Sequence, residues 1–185
     1  DALKENPVVS HLIDSPRDPY ATEIDFVRSD EIDKSYEPKD FLTPLSADSS
    51  QMAVIASATR GKDFIVIGPP GTGKSQTISN LIAHLLGNGK TVLFVSEKTA
   101  ALDVVYRRLA EIGLGRFCLE LHSNKAKKTD VLNQLKVAWH STFEKTEEQW
   151  KSEAESLRQL RDNLNHYVHE LHSKRRNGLS AHYVL

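Results

Sequence analysis

Eight residues, Gly68-Pro69-Pro70-Gly71-Thr72-Gly73-Lys74-Ser75, follow directly on the apolar run Phe64-Ile65-Val66-Ile67, and they lead into Ile78, Leu81, Ile82, Leu85 and Leu86 at helical spacing. The pattern G-x-x-x-x-G-K-[ST] limits the possible folds sharply. A loop that turns several backbone N–H groups inward onto an anion needs glycines, and it needs a following helix whose positive end faces the same point. A strand leading in and a helix leading out is the setting in which such a loop cradles phosphate. Gly68, Pro69, Pro70, Gly71, Thr72 and Gly73 are therefore predicted to form the cradle, with Gln76 in the helical turn that follows. Lys74 is placed to reach the β- and γ-phosphates of a nucleotide, and the Ser75 hydroxyl is placed as a Mg²⁺ ligand. Lys74 and Ser75 are the catalytic candidates. A glycine-rich turn without a ligand is the competing reading, and the flanking pattern counts against it.

The surrounding sequence extends the same theme. Ser46-Ala47-Asp48-Ser49-Ser50 supplies capping residues for a helix over about 48–59. Gly87-Asn88-Gly89 is predicted to end the helix after the loop. Val92-Leu93-Phe94-Val95 reads as a second buried strand, and Leu102, Val105, Leu109 and Ile112 as one side of a helix stopped by Gly113. Phe117–Leu121 reads as a third strand. Strand and helix in alternation predict an α/β fold, a partial P-loop NTPase with a RecA-like parallel sheet. Beyond Lys128 the spacing is helical throughout. Thr146 with Gln149 forms a capping-box signal, and Trp150, Ala154, Leu157, Arg161, Leu164, Val168 and Leu171 form a heptad seam broken by one arginine. A C-terminal α-helical hairpin inserted into the sheet domain is the expectation. The division expected is 1–45 as an irregular segment, with one or two edge strands, packing on the motor domain, 46–128 as the P-loop domain and 129–185 as the hairpin.

Charge is uneven along the 185 residues. Residues 1–50 hold 12 acidic and 5 basic side chains, whereas residues 51–185 hold 13 acidic and 19 basic. A mildly basic catalytic part permits contact with a phosphate backbone without demanding it. The single cysteine, Cys118, rules out an internal disulfide and fits a reducing compartment. No apolar run approaches the roughly 18 residues that would span a bilayer. The expectation is a cytoplasmic protein without membrane contact.

The loop string alone is shared by AAA+ ATPases and helicases, so its flanks must choose. Gln51 lies 17 residues before Gly68. Its carboxamide offers one donor and one acceptor group, the complement of adenine N7 and N6, whereas guanine presents two acceptors on that edge. An ordinary exposed helix glutamine is the alternative. Pro44–Gln51, the P-loop and Thr91–Asp103 together resemble superfamily 1 helicases of the branch that includes the RNA helicase of nonsense-mediated decay. The text through Gly113–Ser123 is similar to that of large bacterial helicase-like proteins. The resemblance implies that Gln51 reads adenine, so that ATP with Mg²⁺ is the nucleotide. It also implies that Ser96, Glu97, Lys98 and Thr99 touch the backbone of single-stranded DNA or RNA, with His122 and Ser123 continuing that surface. Independently, Ser96–Thr99 follow an apolar run at the place where ligands of open α/β sheets gather; a polar loop with Thr99 capping the next helix is the plainer alternative.

The chain departs from that family in one respect. No apolar run in it ends in the Asp-Glu pair that holds Mg²⁺ and positions water, and the arginines of a second motor domain are missing. The expectation is the first part of a motor whose second domain belongs to the same polypeptide, binding ATP without efficient turnover, with no oligomer predicted. Two other classes stay open, an AAA+ remodelling ATPase and a nucleotide-switched interaction module working through the helical hairpin.

Overall fold

The computed structural model describes residues 5–20, 23–121, 128–140, 147–176 and 178–184. All regular structure among them is helical. The elements are α1 (Pro7–Asp14), α2 (Ile32–Ser35), α3 (Ser49–Thr59), α4 (Lys74–Gly87), α5 (Thr99–Glu111), α6 (Lys128–Trp139), α7 (Glu147–His172) and α8 (Ala181–Val184), with 3-10 turns at Pro38–Asp40 and Gly115–Phe117. They fall into two compact units, one of Asp1–Asp33 with Leu42–Trp139 and one of Lys34–Phe41 with His140–Leu185.

The first unit is organised around α4, which packs on α3 and on α5. Ile82 of α4 meets Val105 and Leu109 of α5, and Ile78, Leu86, Phe94, Ile112, Leu114 and Cys118 close around them. Each large aliphatic side chain buried there contributes about 1.5–3 kcal/mol. Helix α3 starts where its sequence says it should. The Asp48 carboxylate accepts from Gln51 N at 2.8 Å, and Gln51 Oε1 accepts from Asp48 N at 3.3 Å, a reciprocal capping box. Its buried face carries Ala53, Ile55, Ala56 and Ser57, and the Ser57 hydroxyl accepts from Val27 N at 2.8 Å. At the far end of α4, Gly89 at φ 71° lets Lys90 N donate to Leu85 O at 2.9 Å, a turn that an L side chain would strain.

The predicted RecA-like parallel sheet does not form. Residues 62–69, 90–96 and 118–121 run without regular structure, and no ladder joins any of them among the described residues. Ile65 is 89% exposed, Ile67 90% and Leu93 87%, whereas a strand buried on both faces would hide them. One side chain of each of the first two runs reaches inward: Phe94 joins the α4–α5 core, and Phe64 meets Phe26 edge-on at 5.5 Å. An apolar run reports what a segment would gain by burial, not whether a second backbone comes within the roughly 4.8 Å that a ladder needs. The edge strands expected before residue 45 are likewise replaced, by α1 and short turns. Asn6 Oδ1 accepts from Val8 N and Val9 N at 3.0 and 3.2 Å, and Pro7 occupies the first helical position, where its missing N–H costs nothing.

In the second unit α7 runs for 26 residues and packs on the 3-10 turn at Pro38–Asp40 and on α8. Arg161, the residue that interrupts the apolar seam, donates from Nη1 to Tyr36 O at 2.8 Å and lies 3.7 Å from the Glu37 carboxylate. Ala154 is buried in the same helix, while Leu160 and Leu164 stay exposed. The pairing of α6 and α7 into a hairpin was an expectation of the sequence; the two helices belong to different units, each described by itself. Thr146 of the expected capping box lies outside the described residues.

Candidate functional site

The loop from Gly68 to Gly73 closes on itself. Thr72 donates to Pro69 O through its N–H at 3.4 Å and its hydroxyl at 2.9 Å. Lys74 Nζ donates to Gly68 O and Pro69 O at 2.6 and 2.7 Å, so the ammonium lies over the loop's own carbonyls. Gly71 and Gly73 hold φ of 84° and 76°. Gly73 is also the N-cap residue of α4 and brings no side-chain acceptor to that helix end. A Cβ there would lie 2.9 Å from Gln51 Nε2, and one at Gly68 would lie 2.8 Å from Thr72 Oγ1. Strain argues for glycine at Gly71, and strain and a close neighbour together argue for it at Gly73. The loop runs straight into the first turn of α4 and its positive end, and the groups present there, backbone N–H groups, the Lys74 ammonium and the half-buried Ser75 hydroxyl, are of the kinds that fit a triphosphate with Mg²⁺.

Gln51 comes to the same place. Its Nε2 donates to Thr72 O at 3.1 Å while its Oε1 accepts from Asp48 N, so the side chain is fixed between the start of α3 and the loop. Gln76, a sequence candidate, donates from Nε2 to Ser46 O at 2.6 Å, while its Oε1 lies 3.8 Å from where a Gly73 Cβ would stand. Pro69, Pro70 and Thr72 are exposed on the loop surface.

Ser96, Glu97, Lys98 and Thr99 form the turn into α5. The Ser96 hydroxyl accepts from Lys98 N and donates to Lys98 O, both at 3.3 Å. Lys98 is the N-cap residue, with no side-chain cap bond, and Thr99 is the first helical residue, so Thr99 does not cap α5. Glu97, Lys98 and Thr99 are exposed. His122 and Ser123 lie outside the described residues.

Two polar residues near the site escape a reading based on apolar spacing. Asn80 is fully buried in α4: its Oδ1 accepts from Leu45 N at 2.9 Å and its Nδ2 donates to Leu45 O at 2.8 Å. His84, one turn on, is 4% exposed and its Nδ1 accepts from Leu42 N at 3.1 Å. That bond requires an unprotonated Nδ1, and burial pushes the imidazole below its ordinary value, toward the neutral form. The available signal was the four-residue spacing of Gln76, Asn80 and His84, a polar stripe along one face of the helix. No helix among the described residues is long and apolar enough to cross a membrane.

Residues 46–182 match a family model described as an AAA domain. A protein of Mycoplasma genitalium named an uncharacterized ATP-dependent helicase is 48% identical over 79 residues, which are 43% of this chain and 7% of that protein. Its homolog in Mycoplasma pneumoniae is 66% identical over 47 residues, 25% of this chain and 4% of that protein. The matched stretches thus span less than a tenth of the length of these relatives. No solved structure matches the chain significantly.

Proposed function

The chain belongs to the AAA-domain family, and from that membership we propose that it is the ATP- and Mg²⁺-binding part of a superfamily 1 helicase or translocase that couples ATP hydrolysis to movement on DNA or RNA. Residues 46–128 are its nucleotide-binding part and residues 129–185 a helical insertion. The observation that carries this reading is the position of Gln51, whose carboxamide is bonded to the backbone of the phosphate loop itself. A glutamine amide has two N–H donors and a two-lone-pair oxygen. With Thr72 O and Asp48 N engaged, one donor and one acceptor remain, the pair that adenine N7 and N6 match. The names of the two relatives favour a helicase over a remodelling ATPase.

In this reading the loop N–H groups and Lys74 bind the phosphates, Ser75 holds Mg²⁺, and Gln51 orients the base. Bound ATP supplies the transferable phosphoryl group, and Mg²⁺ neutralises the charge on its oxygens. Gln51→Ala is expected to lower the preference for ATP over GTP by a factor of about five to a hundred, the equivalent of about 1–3 kcal/mol, while leaving affinity for inorganic tripolyphosphate in place. Competition of each ligand against a fluorescent ATP analogue measures it. An unchanged ATP to GTP ratio removes the basis for the adenine assignment, and a hexamer in solution would turn the reading toward a remodelling ATPase.

Single-stranded nucleic acid is the proposed track, gripped through Ser96, Glu97, Lys98 and Thr99 with His122 and Ser123. The exposed ammonium of Lys98 at the head of α5 supports phosphate contact without base reading. Binding of a single-stranded oligonucleotide should weaken steeply with salt, and Lys98→Ala should make the log–log slope shallower by about 0.7, one phosphate contact. Identical affinity and slope in the variant would leave Ser96–Thr99 as an ordinary polar turn.

A further inference from the structure

Three side chains four residues apart on α4 grip the segment that precedes α3. Gln76 donates to Ser46 O, Asn80 takes both backbone groups of Leu45, and His84 accepts from Leu42 N. Positions four apart share one helix face, so the segment 42–46 is strapped along α4 in the reverse chain direction. Asn80 is the central and most buried member, and it holds Leu45 at two points. A two-point bond fixes position along the helix as well as distance from it. Three residues after Leu45 the chain reaches Asp48, the cap of α3, and Asp48 N holds the Oε1 of Gln51. The other end of the same path is α4 itself, which begins at Lys74 without any break from the phosphate loop.

We propose that Asn80 is a positioning residue for nucleobase selection: its two bonds to the Leu45 backbone set where Gln51 stands relative to the phosphate loop. This rests on the reading that Gln51 selects adenine. The distance between the base-reading amide and the phosphate cradle must match the distance from adenine to the triphosphate. Within this unit the path from loop to Gln51 runs through α4, Asn80, Leu45 and the α3 cap, alongside the direct bond from Gln51 to Thr72 O. Removing the Asn80 carboxamide leaves the part-buried N–H and C=O of Leu45 without these partners, and a strap so loosened shifts to satisfy them. The phosphate loop, held by its own internal bonds, keeps its shape.

The test measures the affinities of the 185-residue chain for Mg-ATP, Mg-GTP and Mg-tripolyphosphate in the wild type, Asn80→Ala, Asn80→Asp, Gln51→Ala and the Gln51→Ala/Asn80→Ala double variant. Asn80→Asp keeps the acceptor for Leu45 N but sets a carboxylate oxygen against Leu45 O. The expected result is that both Asn80 variants lose about fivefold or more of the ATP to GTP ratio and hold tripolyphosphate within about twofold of wild type. The double variant should show the ratio of Gln51→Ala alone, because the two residues act in series. If both Asn80 variants also lose tripolyphosphate, Asn80 is a general support of α4 and the proposal is overturned. It is equally overturned if they keep the wild-type ratio while Gln51→Ala loses it. A wild type with no preference for ATP instead defeats the adenine reading of Gln51, and this proposal with it.

Discussion

Lys74→Ala is expected to weaken ATP binding by about tenfold to about a hundredfold, the loss that follows from removing one charge-assisted contact of about 1.5–3 kcal/mol. In the free chain the ammonium bridges Gly68 O and Pro69 O, so phosphate oxygens must draw it off those carbonyls. The alanine variant lacks that internal tie as well as the phosphate contact, and its loop is held by the two Thr72 bonds to Pro69 O. Titration with a fluorescent ATP analogue reads the loss. Wild-type affinity in the variant would move the nucleotide site away from this loop.

The isolated chain should bind ATP and Mg²⁺ yet turn over more slowly than about 0.1 per second. Phosphoryl transfer depends on groups that stabilise charge as it moves, and an arginine in that role contributes about 10³ to 10⁵ in P-loop enzymes, which reach about 5–20 per second with it in place. The loop supplies a ground-state cradle. The carboxylate pair that would complete the metal site and orient water has no counterpart among the apolar runs of these 185 residues. Steady-state phosphate release is the measurement. Several turnovers per second, abolished by Lys74→Ala, would mean that an acid such as the exposed Glu97 completes the site, and would remove Ser96–Thr99 from the nucleic-acid surface.

Local signals in the sequence carried through to the structure where they describe one helix and its ends. Asp48 with Gln51, Gly73 before Lys74, Gly89 after α4 and Gly113 after α5 each specify backbone geometry within a few residues, and the helices begin and stop there. Asn6-Pro7 carries the same kind of signal, and it starts α1 inside the segment expected to be irregular. What the residues did not specify was pairing. Phe64–Ile67 and Val92–Val95 have the composition of buried strands, yet a ladder is a relation between segments, and nothing in either run names its partner. Asn80 and His84 were hidden for a related reason: polar positions on a helix acquire meaning only from the backbone of residues 42–45, some 35 to 42 residues earlier in the chain. Arg161 likewise looked like a flaw in a seam until Tyr36 and Glu37 supplied its partners.

The exposed apolar side chains of Ile65, Val66, Ile67, Leu93 and Val95 bear on how the protein behaves as a colloid. Short uncharged stretches rich in β-branched residues, left outside any ladder, are sticky toward their like. Electrostatic repulsion between molecules is the usual counterweight, and here it is weak: the formal net charge is -1 at pH 7 and the isoelectric point is near 6.8. Near neutrality these molecules therefore meet with little to hold them apart. Solubility should be lowest close to physiological pH and recover away from it, on the acid side as the eight histidines gain protons and on the alkaline side only once lysines begin to lose theirs.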